Sequence, residues 1–111
     1  YKDEYNASEK AFLENEGFKV INIEGLGIEE AVKIGDVSPY EVYDMSRRVF
    51  KSEADGLLIS CTNLRTVEIL DLLERDLGKP VVSSNQATIW ASLRLAGVED
   101  KLERFGQLVR K

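Results

Sequence analysis

The sequence predicts an α/β sandwich built on a parallel sheet, and three observations carry that prediction. Short apolar or β-branched runs alternate with segments of helical periodicity. The run Gly56 to Ser60 is continuously apolar up to its terminal serine, as in a strand covered on both faces. Glycines at Gly17, Gly78 and Gly97 each follow a periodic segment, where a helix stops. With 111 residues, 43% of them hydrophobic and 32% charged, the chain suits one compact unit and is too short for two full domains.

The first segment, Lys2 to Glu16, sets Tyr5, Ala11, Phe12 and Leu13 among charges at roughly helical spacing, and Gly17 closes it. Phe18 to Ile23 is short, rich in β-branched residues and bounded by glycines, which predicts a strand. Gly25 and Gly27 open a loop, Ile28 to Ile34 suits a short helix, and Ser38-Pro39 supplies a cap and first-turn pair for a longer helix to about Lys51. In that helix Val42, Met45, Val49 and Phe50 form the inward stripe. Gly56 to Ser60 is the second strand and ends at Cys61. A helix over Arg65 to Leu77 turns Val67, Leu70, Leu73 and Leu77 inward, and Lys79 to Ser83 is the third strand. Asn85 to Ala96 is the last clear helix, with Ile89, Trp90, Leu93 and Leu95 apolar. The half-charged tail carries at most a turn or short helix around Lys101 to Phe105. A chain that opens on a helix and shows three strands implies that a first strand lies upstream of Tyr1.

Composition narrows the function. Fifteen Lys and Arg against twenty Asp and Glu give a formal charge of −5, which argues against a grip on nucleic acid built on phosphate neutralisation. No run reaches the roughly 18 apolar residues of a membrane span, and no apolar segment follows a basic N-terminus, so no membrane partner is expected and the reading is cytoplasmic. A single cysteine, Cys61, excludes an internal disulfide. The lack of histidine excludes a Cys/His zinc site and a histidine-based triad. Acid–base work is left to Cys, Tyr, carboxylates, Lys or water.

In open parallel sheets ligands bind beyond the carboxyl ends of the strands. Two junctions there carry chemistry, Ser60-Cys61-Thr62-Asn63-Leu64-Arg65 and Ser83-Ser84-Asn85-Gln86, and both are expected on one edge of the sheet. Each offers backbone N–H groups and the positive end of a helix dipole, suited to a small carboxylic acid. Cys61 in that field gains thiolate character. Thr62, Asn63, Ser83, Ser84 and Asn85 supply neutral donors for carboxylate oxygens. The plainer alternatives are a small buried core residue at Cys61 and simple helix caps at Asn63, Ser84 and Asn85.

The run Leu58-Ile59-Ser60-Cys61-Thr62-Asn63-Leu64-Arg65, followed by Leu77-Gly78-Lys79-Pro80-Val81-Val82-Ser83-Ser84-Asn85-Gln86-Ala87 and then Trp90, Leu93, Arg94, Leu95 and Gly97, resembles the C-terminal lobe of the maleate cis-trans isomerases. These belong to the aspartate/glutamate racemase superfamily, with arylmalonate decarboxylase and an ectoine-utilisation branch as relatives. The resemblance extends to Gly25-Leu26-Gly27-Ile28-Glu29 and Val37-Ser38-Pro39-Tyr40-Glu41-Val42-Tyr43, nearly the whole chain.

The resemblance implies a flavodoxin-like three-layer sandwich over residues 1–111, the second lobe of a two-lobe enzyme, with the site between lobes and no further domain in this chain. It implies a cofactor-independent isomerase of a small dicarboxylic or amino-dicarboxylic acid, inactive as an isolated lobe. The expected partners are the N-terminal lobe of the same protein and further copies in a homo-oligomer. Cys61 matches the second-lobe cysteine that handles the proton while a first-lobe cysteine, which has no counterpart here, adds to the double bond. Tyr1 matches a tyrosine that hydrogen-bonds a substrate carboxylate, and Thr62, Asn63, Ser83, Ser84 and Asn85 complete the expected binding set. Ala31 stands where the isomerases carry a carboxylate-binding asparagine, a departure that weakens maleate as the specific substrate. The alternatives are an arylmalonate-type decarboxylase, whose own motif lacks the Thr-Asn-Leu-Arg run, and a non-catalytic flavodoxin-like module that binds an anion or a partner.

Overall fold

Helix α1 (Asp3–Asn15) opens the chain, with Asp3 and Glu4 in its first turn, where the helix dipole favours acids. Helices α2 (Ala31–Gly35) and α3 (Pro39–Val49) follow, then strand β1 (Leu57–Ile59), helix α4 (Leu70–Leu77), strand β2 (Val81–Ser83) and helix α5 (Ser84–Leu95). A 3₁₀ turn, Val67–Ile69, leads into α4, and a second, Leu108–Arg110, lies near the C-terminus. The computed structural model describes all of residues 1–111. No helix is long and apolar enough to cross a membrane.

The two strands pair in parallel, Leu57 opposite Val81, Leu58 opposite Val82 and Ile59 opposite Ser83. Both therefore end on the same edge, as the sequence predicts for the Cys61 and Ser83 junctions. The core gathers Val37, Val42, Ile59, Ile69, Leu70, Leu73 and Val81, with Tyr43, Leu57, Leu64, Val67 and Leu77 packed around it. Leu70 and Leu73 are wholly buried, the inward stripe expected of the Arg65 to Leu77 segment. Ser38 caps α3 by accepting from the Tyr40 N–H at 3.2 Å, with Pro39 at the first helical position. Gly78 ends α4 in the left-handed conformation at φ 69°, which costs glycine no Cβ clash, and returns its N–H to the Glu74 carbonyl at 2.9 Å.

The expected strand over Phe18 to Ile23 does not form: residues 18–30 carry no regular secondary structure. The cause is the want of a neighbour. The segment Phe18–Leu26 lines a cavity of about 990 Å³ together with Ala54–Ser60, and β1 pairs with β2 alone. Residues of α1 and α3 line the same cavity, and the segment is tied to α3 by Asn22 Nδ2 donating to the Val49 carbonyl at 3.0 Å. The free edge of β1 thus faces apolar space, and Leu58 is 45% exposed.

The tail is held more firmly than its composition suggests. Gly106 N–H donates to Asp71 Oδ1 at 2.8 Å, and Gln107 donates to Glu74 from its backbone at 2.8 Å and from its side chain at 2.6 Å. The helical turn falls at Leu108–Arg110 and not at the expected Lys101 to Phe105, because these contacts fix residues 106 and 107 against α4.

A polar cluster joins α3 to α4. Tyr43 donates its hydroxyl to Asp76 and accepts from Arg47 Nη1 at 3.2 Å. The Tyr43 hydrogen bond, aided by Arg75 and Arg47, holds the Asp76 carboxyl below its ordinary value. A carboxyl lowered in the folded state contributes stability above its unfolded pKa and loses it as pH falls through the folded value. Tyr43→Phe should therefore bring the Asp76 titration, followed by carboxyl NMR, up toward the ordinary carboxylate range and weaken the acid-side loss of stability. An unchanged titration would contradict the assignment.

Candidate functional site

The site forms where β1 and β2 end. After Ile59 and Ser60 the chain reverses at Cys61, whose φ of 118° lies in the left-handed region that non-glycine residues rarely enter. Such a backbone costs on the order of 1–3 kcal/mol and persists only where its surroundings hold it. Here the surroundings are hydrogen bonds. Cys61 N–H donates to Ser84 Oγ at 3.2 Å, Leu64 N–H closes back on the Cys61 carbonyl at 3.2 Å, and Asn85 Nδ2 donates to the carbonyls of Thr62 at 3.0 Å and Leu64 at 3.2 Å. At about 1 kcal/mol net for each neutral bond, the set is large enough to offset the strain. Cys61 itself is 8% exposed and unpaired with any other thiol.

Tyr1 reaches this turn from the other side. Its carbonyl accepts from Gly27 N–H at 3.2 Å, and its hydroxyl lies near enough to Cys61 and Ser60 for both to shift its titration. Burial first, then the hydrogen bond and charge of Cys61, push the Tyr1 hydroxyl above its ordinary value against a smaller opposing effect of Ser60. The close approach depends on Gly25, where a Cβ would overlap the Tyr1 carbonyl oxygen and Asn6 Nδ2. Lys2 pairs with Glu29 beside this loop, an exposed ion pair that adds little by itself.

Across the edge, α5 starts at Ser84 with a capping box. Ser83 Oγ accepts from Gln86 N–H at 3.2 Å, and Gln86 Oε1 accepts from Ser83 N–H at 3.3 Å. The twelve-residue helix directs the positive end of its dipole toward the Cys61 turn.

The structure brings Tyr1, Cys61 and Ser84 together and distributes the other expected residues by task. Ser83 is buried with its oxygen engaged as the cap. Asn85 spends its amide hydrogens on the turn. Thr62 and Asn63 are exposed at the tip of the turn. Ala31 begins α2. No group of three or more His, Cys, Asp or Glu side chains is placed to hold a metal ion.

Sequence reasoning placed Gln86 and Ser60 in the two junctions but gave neither a role of its own. Gln86 was legible, since Ser83 followed three residues later by glutamine is the capping-box signature. Ser60 carries no signal beyond its place at the strand end.

The sequence profile of the arylmalonate decarboxylase family matches residues 1–109. The chain belongs to that family. Arylmalonate decarboxylase of Bordetella bronchiseptica is 36% identical over 99 residues, which cover 87% of this chain and 41% of that protein. Maleate isomerase of Nocardia farcinica is 28% identical over 102 residues, 91% of this chain and 41% of that one. A solved structure of the Nocardia farcinica maleate cis-trans isomerase, a cysteine-to-serine mutant with a covalently bound succinylcysteine intermediate, matches with a TM-score of 0.92 at 27% identity, covering 99% of this chain and 45% of that one. This member of the arylmalonate decarboxylase family thus spans less than half the length of the curated relatives it matches, and those relatives are enzymes.

In this family member the position of Tyr1 rests on Gly25. Gly25→Ala, in the full-length protein, should cost about 2 kcal/mol in denaturant unfolding, since the added methyl group must displace backbone, and should draw the Tyr1 hydroxyl away from Cys61. A variant as stable as the parent, with an unaltered Tyr1 titration, would refute that.

Proposed function

We propose that the full-length protein is a cofactor-independent isomerase of a small dicarboxylic acid, in which Cys61 passes a proton to and from the carbon beside a carboxylate. The observation that carries this reading is the convergence of Cys61, the Tyr1 hydroxyl and Ser84 at the start of α5. A thiol in that position faces donors suited to an anion whose charge grows during reaction.

The steps balance without an oxidant or cofactor. A nucleophilic thiolate supplied by the rest of the polypeptide adds to one alkene carbon, and the displaced electron pair moves onto the adjacent carboxylate as an enediolate. The Cys61 S–H protonates the neighbouring carbon, the resulting single bond rotates, and the Cys61 thiolate takes a proton back as the first thiolate leaves. Tyr1, Ser84 and the first-turn N–H groups of α5 stabilise the enediolate. Succinylcysteine bound to the Nocardia farcinica relative supports a covalent adduct of this kind. The Cys-Thr-Asn-Leu-Arg run beginning at Cys61 supports the isomerase over the decarboxylase.

A second reading has its own support, the 36% identity to an arylmalonate decarboxylase against 28% to a maleate isomerase. There the enediolate arises by loss of carbon dioxide, and Cys61 protonates it once. In either reaction residues 1–111 form the second lobe, the rest of the polypeptide completes the pocket, and further copies assemble as a homo-oligomer.

The test uses full-length protein with maleate followed by NMR for fumarate, and phenylmalonate followed for carbon dioxide. Fumarate formation supports the isomerase, and release of carbon dioxide alone replaces it with the decarboxylase. Cys61→Ala should lower the observed turnover by roughly 10²–10⁴-fold, the usual worth of a positioned proton donor. Activity that survives this change, or no turnover of either acid with a Cys61 that alkylates only on unfolding, would overturn the thiol mechanism.

A further inference from the structure

We infer that Asn85 is a positioning residue that staples the Cys61 turn and makes no contact with the substrate through its amide hydrogens. A side-chain amide has two N–H donors, and the Asn85 nitrogen is directed at two carbonyls, those of Thr62 at 3.0 Å and Leu64 at 3.2 Å. These carbonyls flank Asn63, so the amide spans the tip of the turn. Its remaining oxygen is an acceptor and repels a carboxylate. Asn85 is not the helix cap either, because Ser83 fills that place.

The neighbouring residue completes the arrangement. Ser84 Oγ receives the Cys61 N–H, so two consecutive residues at the start of α5 hold the backbone from Cys61 to Leu64. Ser84 differs from Asn85 in one respect: having accepted from Cys61, its hydroxyl still has a proton to donate. Ser84 serves the turn and an anion together, while Asn85 serves the turn alone. The catalytic meaning of the staple rests on the proposed role of Cys61, but the staple itself is read from the two hydrogen bonds of the Asn85 side chain.

Asn85→Asp separates donation from shape. The carboxylate is nearly isosteric, is favoured in the first turn of a helix, and has no N–H to give. In the full-length protein, Asn85→Asp and Asn85→Ala should each raise hydrogen exchange at Leu64, whose N–H closes on the Cys61 carbonyl, by about tenfold while α4 and β2 exchange as before. Alkylation of Cys61 by iodoacetamide, compared between parent and variants at one pH, should rise by about fivefold as the buried sulfur gains access. Peptide mass spectrometry assigns the label to Cys61. Exchange and labelling unchanged in both variants would overturn the inference, as would an aspartate variant that behaves like the parent. These readings need no turnover, so their failure differs from failure of the proposed function, which shows as activity surviving Cys61→Ala.

Discussion

Parallel pairing of β1 with β2, Ile59 opposite Ser83, is the constraint from which the site follows. The strands advance about 3.3 Å per residue, so a slip by one position would carry the Cys61 N–H away from Ser84 Oγ, now 3.2 Å from it. The slip would also reverse the faces of Leu57 and Ile59 and expose the side chain that belongs in the core. Burial of Ile59 and Val81 therefore enforces the same register that brings the Cys61 turn against α5. Hydrophobic packing sets the placement, and polar contacts refine it.

The polar contacts extend well behind the site. Gln86 is 2% exposed and works in two directions, closing the capping box with Ser83 and donating through Nε2 to the Phe105 carbonyl at 2.6 Å. Glu74 and Asp71 of α4 hold Gln107 and Gly106 from the other side. The C-terminal segment thus braces the first turn of α5 against α4. Because the same turn carries Ser84 and Asn85, the strained Cys61 backbone is supported by a continuous set of hydrogen bonds from the tail to the strand end.

Those parts of the fold set by local sequence were legible before the structure. Ser38-Pro39 starts a helix because a hydroxyl cap and a proline need only their neighbours, and Gly78 ends one for the same reason. The meeting of Cys61 with the serine-rich turn was legible too, since parallel strands must end on one edge. Features set by distant partners were not. Phe18 to Ile23 has strand composition, yet strand formation depends on a neighbour to pair with, and none lies beside it. The helix expected from Arg65 begins at Leu70, behind a 3₁₀ turn, because residues up to Leu64 are committed to the Cys61 turn. Ile89 and Leu95 look like core residues of an apolar helix, but are 53% and 90% exposed because nothing within this chain covers that face of α5.

The charge balance of the site follows from the same geometry. Arg65 is the basic residue nearest Cys61 in sequence, and it is exposed with Glu68 3.9 Å from its guanidinium. The groups meeting at Cys61 are neutral: a tyrosine, a serine hydroxyl and the start of a helix. A cation would bind a carboxylate strongly before any reaction and so deepen the ground state, which does nothing for the chemical step. Neutral donors held in place by the register and the braced helix favour instead the form in which charge has spread onto the carboxylate oxygens. On the proposed reaction that is the enediolate, and a thiol adjoining those donors needs no basic side chain to give up its proton.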